Sequence, residues 1–214
     1  RGAEALTAAE VVIITFGTAF VYRLNASGKV VANCHKQPQK LFTRQMLSAE
    51  EIVKRYNTLL QGPLADKRVI FTLSPVRHLG DGLEQNSLSK ATLRVALGEI
   101  VSANENAEYF PSYEILMDEL RDYRFYADDM AHPSPLAVDY IWERFGQTIF
   151  SSDTLELNSR IERILAAAEH RPFNPDSDAH RTFFRRMMDE CELLEADVPS
   201  IHLDKEKEYF RGYL

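Results

Sequence analysis

The chain has 214 residues, of which 45% are hydrophobic and 27% are charged. This composition is typical of a globular protein with one full-sized domain, and it argues against a disordered or membrane-spanning chain. The formal net charge of -7 at pH 7 argues against a nucleic-acid-binding surface, because phosphate binding requires clustered Lys and Arg. A small-molecule or glycan substrate fits this acidic balance better.

Two cysteines, Cys34 and Cys191, are too few and too far apart to indicate a disulfide framework or a zinc site. Two reduced thiols favour a cytoplasmic location, although a signal peptide removed earlier would leave the same sequence. His132 with Asp128 and Asp129 is a conceivable metal site but lacks a further ligand, and no glycine-rich phosphate loop is present. The sequence therefore predicts neither a metal nor a cofactor.

Three apolar runs predict the strands of a parallel sheet. Val11–Phe16 is almost entirely apolar and β-branched and stops at Gly17, which is typical of a strand buried on both faces. Residues 69–73 and 108–110 each stop at a proline-containing turn. Helical patterns lie between these runs, so the order is β-α-β-α-β.

Between the first two strands we expect a hairpin of residues 20–23 and 29–32, followed by a helix that Ser48 and Glu51 open as a capping box. A second helix is expected over about residues 89–103. Its apolar face comprises Leu93, Leu97, Ile100 and Val101. The segment Asn86-Ser87-Leu88-Ser89-Lys90 reads most simply as the start of this helix, with Ser87 or Ser89 as N-cap.

After the third strand we expect a short helix over residues 114–120, a loop over 129–132, and a helix with Ser134 as N-cap and Pro135 at its first position. This last helix should bury one residue in every four, namely Ala137, Ile141, Phe145 and Ile149.

From Ser151 the pattern changes to two amphipathic helices, over residues 154–169 and 178–195. We therefore predict an α/β domain over residues 1–150 and a helical extension over 151–214. An apolar stripe on the second of these helices comprises Phe184, Met187, Cys191 and Leu194. Core packing and dimerisation explain this stripe equally well.

Three strands are few for a doubly wound sheet, which usually has about five or six. Residues 3–9 also resemble the tail of a crossover helix. The sequence therefore predicts the later part of a larger α/β domain, whose N-terminal portion lies upstream of residue 1.

In open α/β sheets, ligands bind beyond the carboxyl ends of the strands. Gly17 and Thr18 follow the first strand, and Arg77 and His78 follow the second. Gly17 could supply an oxyanion-hole N–H or simply permit a turn, and Arg77 and His78 could line a pocket or form a solvated turn. Asn33 and His35 follow the hairpin, where turn formation is the simpler interpretation.

Asp129 and His132 have the spacing that an acyl-transfer enzyme needs. A carboxylate three residues before an imidazole can orient the ring and leave its other nitrogen free as a general base. The pair is short and also occurs by chance, and no Ser, Cys or Thr lies in a recognisable nucleophile turn.

Six strings in this order are more specific than any single residue. They are Ile14-Thr15-Phe16-Gly17-Thr18-Ala19-Phe20-Val21-Tyr22, Val31-Ala32-Asn33-Cys34-His35-Lys36, Thr72-Leu73-Ser74-Pro75-Val76-Arg77-His78-Leu79, Asn86-Ser87-Leu88-Ser89-Lys90, Phe110-Pro111-Ser112-Tyr113-Glu114 and Asp128-Asp129-Met130-Ala131-His132-Pro133-Ser134. With Arg171-Pro172-Phe173-Asn174-Pro175 they resemble the bacterial GSCFA family, a branch of the SGNH (GDSL-like) hydrolases, over almost the whole chain.

The resemblance implies a flavodoxin-like three-layer α/β/α sandwich and a serine nucleophile near the start of the domain. Asp129 and His132 match the D-x-x-H segment that supplies the base. Gly17 matches the first residue of the G-x-N segment, but Ala19 occupies the Asn position. We therefore expect Asn33 to replace that Asn in the oxyanion hole.

His35, Arg77 and His78 are then expected to line the pocket. The G-S-C-F-A string for which the family is named, with its presumed serine, does not occur in these residues.

These features predict a serine esterase or acyl hydrolase, acting on a small-molecule or glycan ester, whose serine lies upstream of residue 1. The alternative is a catalytically inactive glycan- or partner-binding module on the same fold. Aryl-ester turnover that depends on His132 would distinguish the first from the second.

Overall fold

A computed structural model describes residues 2–32, 36–170 and 177–214. The strands are β1 (Val11–Phe16), β2 (Phe20–Leu24), β3 (Val30–Val31), β4 (Phe42–Met46), β5 (Arg68–Leu73) and β6 (Ala107–Phe110). The helices are α1 (Gly2–Ala8), α2 (Ala49–Leu60), α3 (Leu83–Ala103), α4 (Ser112–Glu114, continued as π-helix over Ile115–Leu120), α5 (Pro135–Ile149), α6 (Ser152–Glu169), α7 (Asp178–Asp197) and α8 (Asp204–Arg211). Short 3-10 turns cover Gln39–Leu41, Leu79–Asp81 and Tyr123–Phe125.

The chain divides into two compact units, Arg1–Phe145 and Gly146–Leu214. The boundary falls within α5. In the described part of the chain, no helix combines the length and the apolar composition needed to cross a bilayer.

The first unit contains a parallel sheet in the order β1-β5-β6. Phe16 pairs with Leu73, and Thr72 pairs with Phe110, so the three strands end at the same edge of the sheet. The predicted parallel strands and the mixed α/β class are therefore confirmed, with strand ends within one residue of the apolar runs.

The prediction that β1 is buried on both faces is wrong. Val12, Ile14 and Phe16 face the core, whereas Val11 is 45% exposed and Ile13 is 54% exposed. The reason is position, because β1 is an outer strand of the sheet. The central strand β5 is the one buried on both faces, with Ile70 and Phe71 both at 0%.

A second, antiparallel sheet has the order β3-β2-β4. The predicted hairpin of β2 and β3 is confirmed, with Tyr22 paired to Val31. Strand β4 was not predicted. Its sequence, FTRQM, has too few apolar residues to show a period of two, and its pairing with β2 stabilises it instead.

Helix α2 begins as predicted, because Ser48 Oγ accepts from Glu51 N at 3.2 Å and Glu51 Oε2 accepts from Ser48 N at 2.9 Å. Helix α3 begins earlier than predicted, at Leu83, after Gly82 with a φ of 79°. Neither Ser87 nor Ser89 is its N-cap, so that prediction is wrong. Ser89 lies inside the helix, and its hydroxyl bonds to residues after β1.

The core of the first unit lies between one face of the parallel sheet and helices α2 and α3. Phe16, Tyr56 and Phe71 form an aromatic cluster with ring centroids 4.8 to 5.8 Å apart. On α5, Ala137 and Phe145 are buried as predicted, while the remaining two predicted positions are only half-buried.

The second unit is a helical core made by α6, α7 and α8. Phe184, Met187, Cys191 and Leu194 are buried there together with Ile164, Leu203 and Phe210. The apolar stripe on α7 is therefore core, and the dimerisation alternative loses its motivation. Helix α8 was not predicted, because it has a mostly charged sequence with few apolar positions.

Candidate active site

The segment that carries the predicted dyad is a short hairpin-like loop. Tyr126 and Pro133 form an antiparallel bridge, and Ala127 N donates to His132 O at 2.8 Å. Met130, at the tip, has a φ of 58°, a conformation that non-glycine residues seldom adopt. These backbone constraints hold the loop in one shape between the short 3-10 turn and α5.

Within the loop, Asp129 acts as an acceptor for three donors. Its Oδ1 accepts from Ala131 N and from His132 N, both at 2.9 Å, and its Oδ2 lies 2.5 Å from His132 Nδ1. Three hydrogen bonds lower the pKa of Asp129 to about 2. The largest effect comes from the backbone N–H of His132, the next from that of Ala131 and the third from the His132 ring. The carboxylate is therefore ionised at neutral pH.

This contact assigns the two ring nitrogens of His132. Nδ1 donates to the carboxylate, so Nε2 is the nitrogen left to accept a proton. The side chain is 62% exposed, and Nε2 has no hydrogen-bond partner among the described residues. A substrate or a nucleophile can therefore approach Nε2 from solvent.

The turn after β5 is attached to this loop through Arg77. Its backbone N donates to Ala131 O at 3.0 Å, and its guanidinium donates to Met130 O at 3.2 Å. The guanidinium carbon also lies 4.0 Å from the centroid of the Tyr126 ring. Arg77 thus connects the dyad loop to the sheet edge.

His78 and Gly17 meet at the same edge. A Cβ atom added to Gly17 would lie 3.4 Å from His78 Nε2, so the His78 ring packs against the Gly17 backbone. The His78 backbone N donates to Asn86 Oδ1 at 2.9 Å. Burial lowers the pKa of His78, and the nearby charge of Lys90 lowers it further. The ring is therefore neutral at pH 7.

Two backbone donors at this edge have no acceptor in the described part of the chain. Gly17 N and Thr18 N, both in half-buried residues, donate to none of the residues that the structure describes. Backbone N–H groups that lack a protein partner are available to stabilise an oxyanion. The Thr18 hydroxyl, in contrast, is engaged, because it lies 3.1 Å from Ser89 Oγ and accepts from Phe20 N at 3.2 Å.

Asn33 and His35, the other two predicted site residues, lie outside the described residues, as do Cys34 and the string of residues 171–175.

The structure brings three residues of α3 to this site, although the sequence predicted only a helix start for them. Asn86 holds the His78 turn, Ser89 Oγ accepts from Ala19 N at 2.8 Å, and Lys90 Nζ donates to Gly17 O at 2.7 Å and to Ser74 O at 2.6 Å. Positions i, i+3 and i+4 share one helix face. The sequence signal that could have identified these residues is the spacing of three polar side chains along one face of the helix.

An apolar groove of about 310 Å³ begins beside the dyad loop, at Pro133, and runs along the sheet face that carries Ile13 and Thr72. Trp142 and Phe145 of α5 form its other side. Its lining is suited to an apolar ligand rather than an ionic one. Among the described residues, no group of three or more His, Cys, Asp or Glu side chains is placed to hold a metal ion.

Comparison with known proteins identifies two matches along the chain. The GSCFA family matches residues 1–145, and the GSCFA domain protein, C-terminal domain, matches residues 161–214. No curated protein and no solved structure matches the chain. Since the first match alone covers more than half of the 214 residues, the chain belongs to the GSCFA family.

Proposed function

We propose that the intact protein is a serine esterase or acyl hydrolase of the SGNH type, built on a three-layer α/β/α sandwich. The observation that carries this proposal is the Asp129–His132 pair, in which an ionised carboxylate holds Nδ1 at 2.5 Å and leaves Nε2 exposed. The substrate is an acyl ester of a small molecule or glycan.

In the reaction, His132 Nε2 removes the proton from a serine hydroxyl as the serine oxygen attacks the ester carbonyl. Asp129 stabilises the imidazolium that forms. The backbone N–H groups of Gly17 and Thr18 stabilise the carbonyl oxygen as it becomes negative. The imidazolium then gives its proton to the leaving alcohol. Water next attacks the acyl-serine as His132 Nε2 takes its proton, and the serine leaves with that proton as the acid is released.

We propose that the serine lies upstream of residue 1, after a strand that pairs in parallel with β1 on the side away from β5. Strand β1 supports this placement, because among the described residues it pairs only with β5, so the backbone on its other side can pair with a further strand. The end of such a strand would lie at the edge that carries Gly17, since parallel strands end together.

The apolar groove beside Pro133 is suited to the acyl chain. Its volume of about 310 Å³ is at the lower end of the range for ligand pockets. We therefore expect the substrate to carry an uncharged acyl group of short or medium length.

The test is hydrolysis of an aryl acetate by the full-length protein, by its upstream Ser→Ala variant and by His132→Ala. His202→Ala is the matched control, because His202 is exposed in the second unit. We expect both site variants to lose at least 1,000-fold in kcat (about three orders of magnitude, as for other triads). Equal turnover by all four proteins refutes the proposal.

The alternative function is a glycan- or partner-binding module without turnover. Ala19, in place of the oxyanion Asn, and the absence of a hydroxyl partner for His132 Nε2 among the described residues favour it. Calorimetric glycan binding that survives His132→Ala, without turnover, would support this alternative. Detection of an acyl-enzyme by mass spectrometry would exclude it.

A further inference from the structure

Lys90 places a buried positive charge beneath the edge of the sheet where the site lies. The residue is 2% exposed, and its ammonium donates to Gly17 O at 2.7 Å and to Ser74 O at 2.6 Å. These are the first carbonyls beyond β1 and β5. Lysines are seldom buried this deeply unless their charge is well solvated by protein groups.

A second buried lysine shows what a purely structural role looks like in this chain. Lys67 is 6% exposed, and its Nζ donates to Ala9 O at 2.8 Å and to Thr7 O at 3.1 Å. It connects backbone segments at the opposite end of the same strands, just before β1 and β5. Each ammonium therefore bonds to two backbone carbonyls, although Lys67 Nζ also lies 3.7 Å from Asp66 Oδ1, and the two lysines differ in position.

The Gly17 carbonyl that Lys90 holds belongs to the same peptide group as the Thr18 N–H, whereas Lys67 bonds to no carbonyl at this edge. None of the described peptide bonds is cis, so the C=O of Gly17 and the N–H of Thr18 point in opposite directions. Lys90 holds that C=O, with which the His78 ring also interacts, so the Thr18 N–H is turned away from the ammonium. A cation on the carbonyl also polarises the peptide and strengthens its N–H as a donor.

We infer that Lys90 is a positioning residue for ester hydrolysis, which acts through the Gly17 carbonyl to orient and strengthen the Thr18 N–H in the oxyanion hole. The inference rests on the proposed function. Lys90 touches no substrate, and its influence passes through one peptide group.

The charge of Lys90 can be followed by pH. Burial lowers its pKa to about 8, so the ammonium loses its proton as the pH rises through that value. The titratable groups near it are His78, whose pKa burial lowers, and Tyr113, whose ring centroid lies 5.9 Å from Nζ and whose pKa burial raises. Asp81 and Arg44 act on His78. His78 and Tyr113 therefore titrate on either side of the window in which Lys90 does.

The experiment uses the full-length protein and aryl acetate hydrolysis. We expect Lys90→Met to lower kcat by about 10- to 100-fold with KM within about threefold, because oxyanion contacts strengthen in the transition state. Lys67→Met should stay within about threefold of the parent. The parent kcat should fall as the pH rises above about 8, whereas Lys90→Arg, which keeps its charge, should retain activity without that fall.

The outcomes separate this inference from the proposed function. Equal activity of His132→Ala and the parent overturns the function itself. If His132→Ala loses activity while Lys90→Met keeps the parent kcat, the role of Lys90 is overturned and the proposed function stands. Equal losses in Lys90→Met and Lys67→Met overturn that role as well. Should circular dichroism show that Lys90→Met is unfolded, the pH profiles decide, and a parent kcat that stays flat between pH 7 and 9.5 overturns the inference.

Discussion

Replacement of Asp129 by Asn tests the dyad most directly, because the change keeps the shape of the loop and alters one proton. The amide oxygen can still accept from Ala131 N and His132 N, whose bonds to Oδ1 are both 2.9 Å long. The amide NH₂ then faces Nδ1 in place of Oδ2. Since NH₂ is a donor, the His132 ring must place its own proton on Nε2, and the base is lost.

We expect this change to lower kcat by about 10²- to 10³-fold. A fully buried dyad loses about 10⁴-fold from the same change. The smaller value applies here because the two side chains are 62% and 51% exposed, so water partly replaces the lost carboxylate.

The assay is aryl acetate hydrolysis by the full-length protein at several pH values. Because the pKa of Asp129 is about 2, the carboxylate is ionised from about pH 4 upward, and its effect on kcat should be constant above that pH. Asp128→Asn is the matched control, since this neighbouring exposed carboxylate has no hydrogen-bond or ion-pair partner among the described residues. Equal kcat for the two Asn variants would refute the role of Asp129.

Three further changes test the fold. Ser48→Ala should lower the free energy of unfolding by about 0.5–2 kcal/mol in urea titrations, because it removes the capping box with Glu51; an unchanged midpoint contradicts the cap. Phe71→Ala should cost about 3–5 kcal/mol, because it empties a 0% exposed site in the central strand; a loss below 1 kcal/mol (about the cost of a half-exposed site) contradicts that packing. In a Cys34→Ser background, Cys191 should resist a thiol reagent at pH 8 until the protein unfolds, because burial raises its pKa to about 11; fast labelling of the folded protein contradicts the second core.

Local chemistry explains which parts of the site could be predicted. Asp129 and His132 are three residues apart, and all three bonds that Asp129 accepts come from residues 131 and 132. The Ser48 capping box has the same spacing. Where both partners lie within one turn of chain, the residue types are enough to predict the contact.

The α3 residues illustrate what could not be predicted. Ser89 contacts residues 70 and 71 positions earlier, and Lys90 contacts Gly17 at a separation of 73. A serine followed by a lysine before an apolar run matches a helix start, so the local pattern pointed to the wrong role. The α/β pattern also could not show which strand is central, because an outer strand and a central strand can be equally apolar.

The amino-acid order alone determined the three parallel strands, the capping box that begins α2 and the carboxylate–imidazole pair, because each depends on periodicity or on neighbours a few residues apart. Only the tertiary structure decided that Gly17, His78, Lys90 and the dyad loop share one edge of the sheet. Strand pairing and helix packing bring these segments together across 53 to 73 residues of chain. No short-range pattern encodes contacts at that distance.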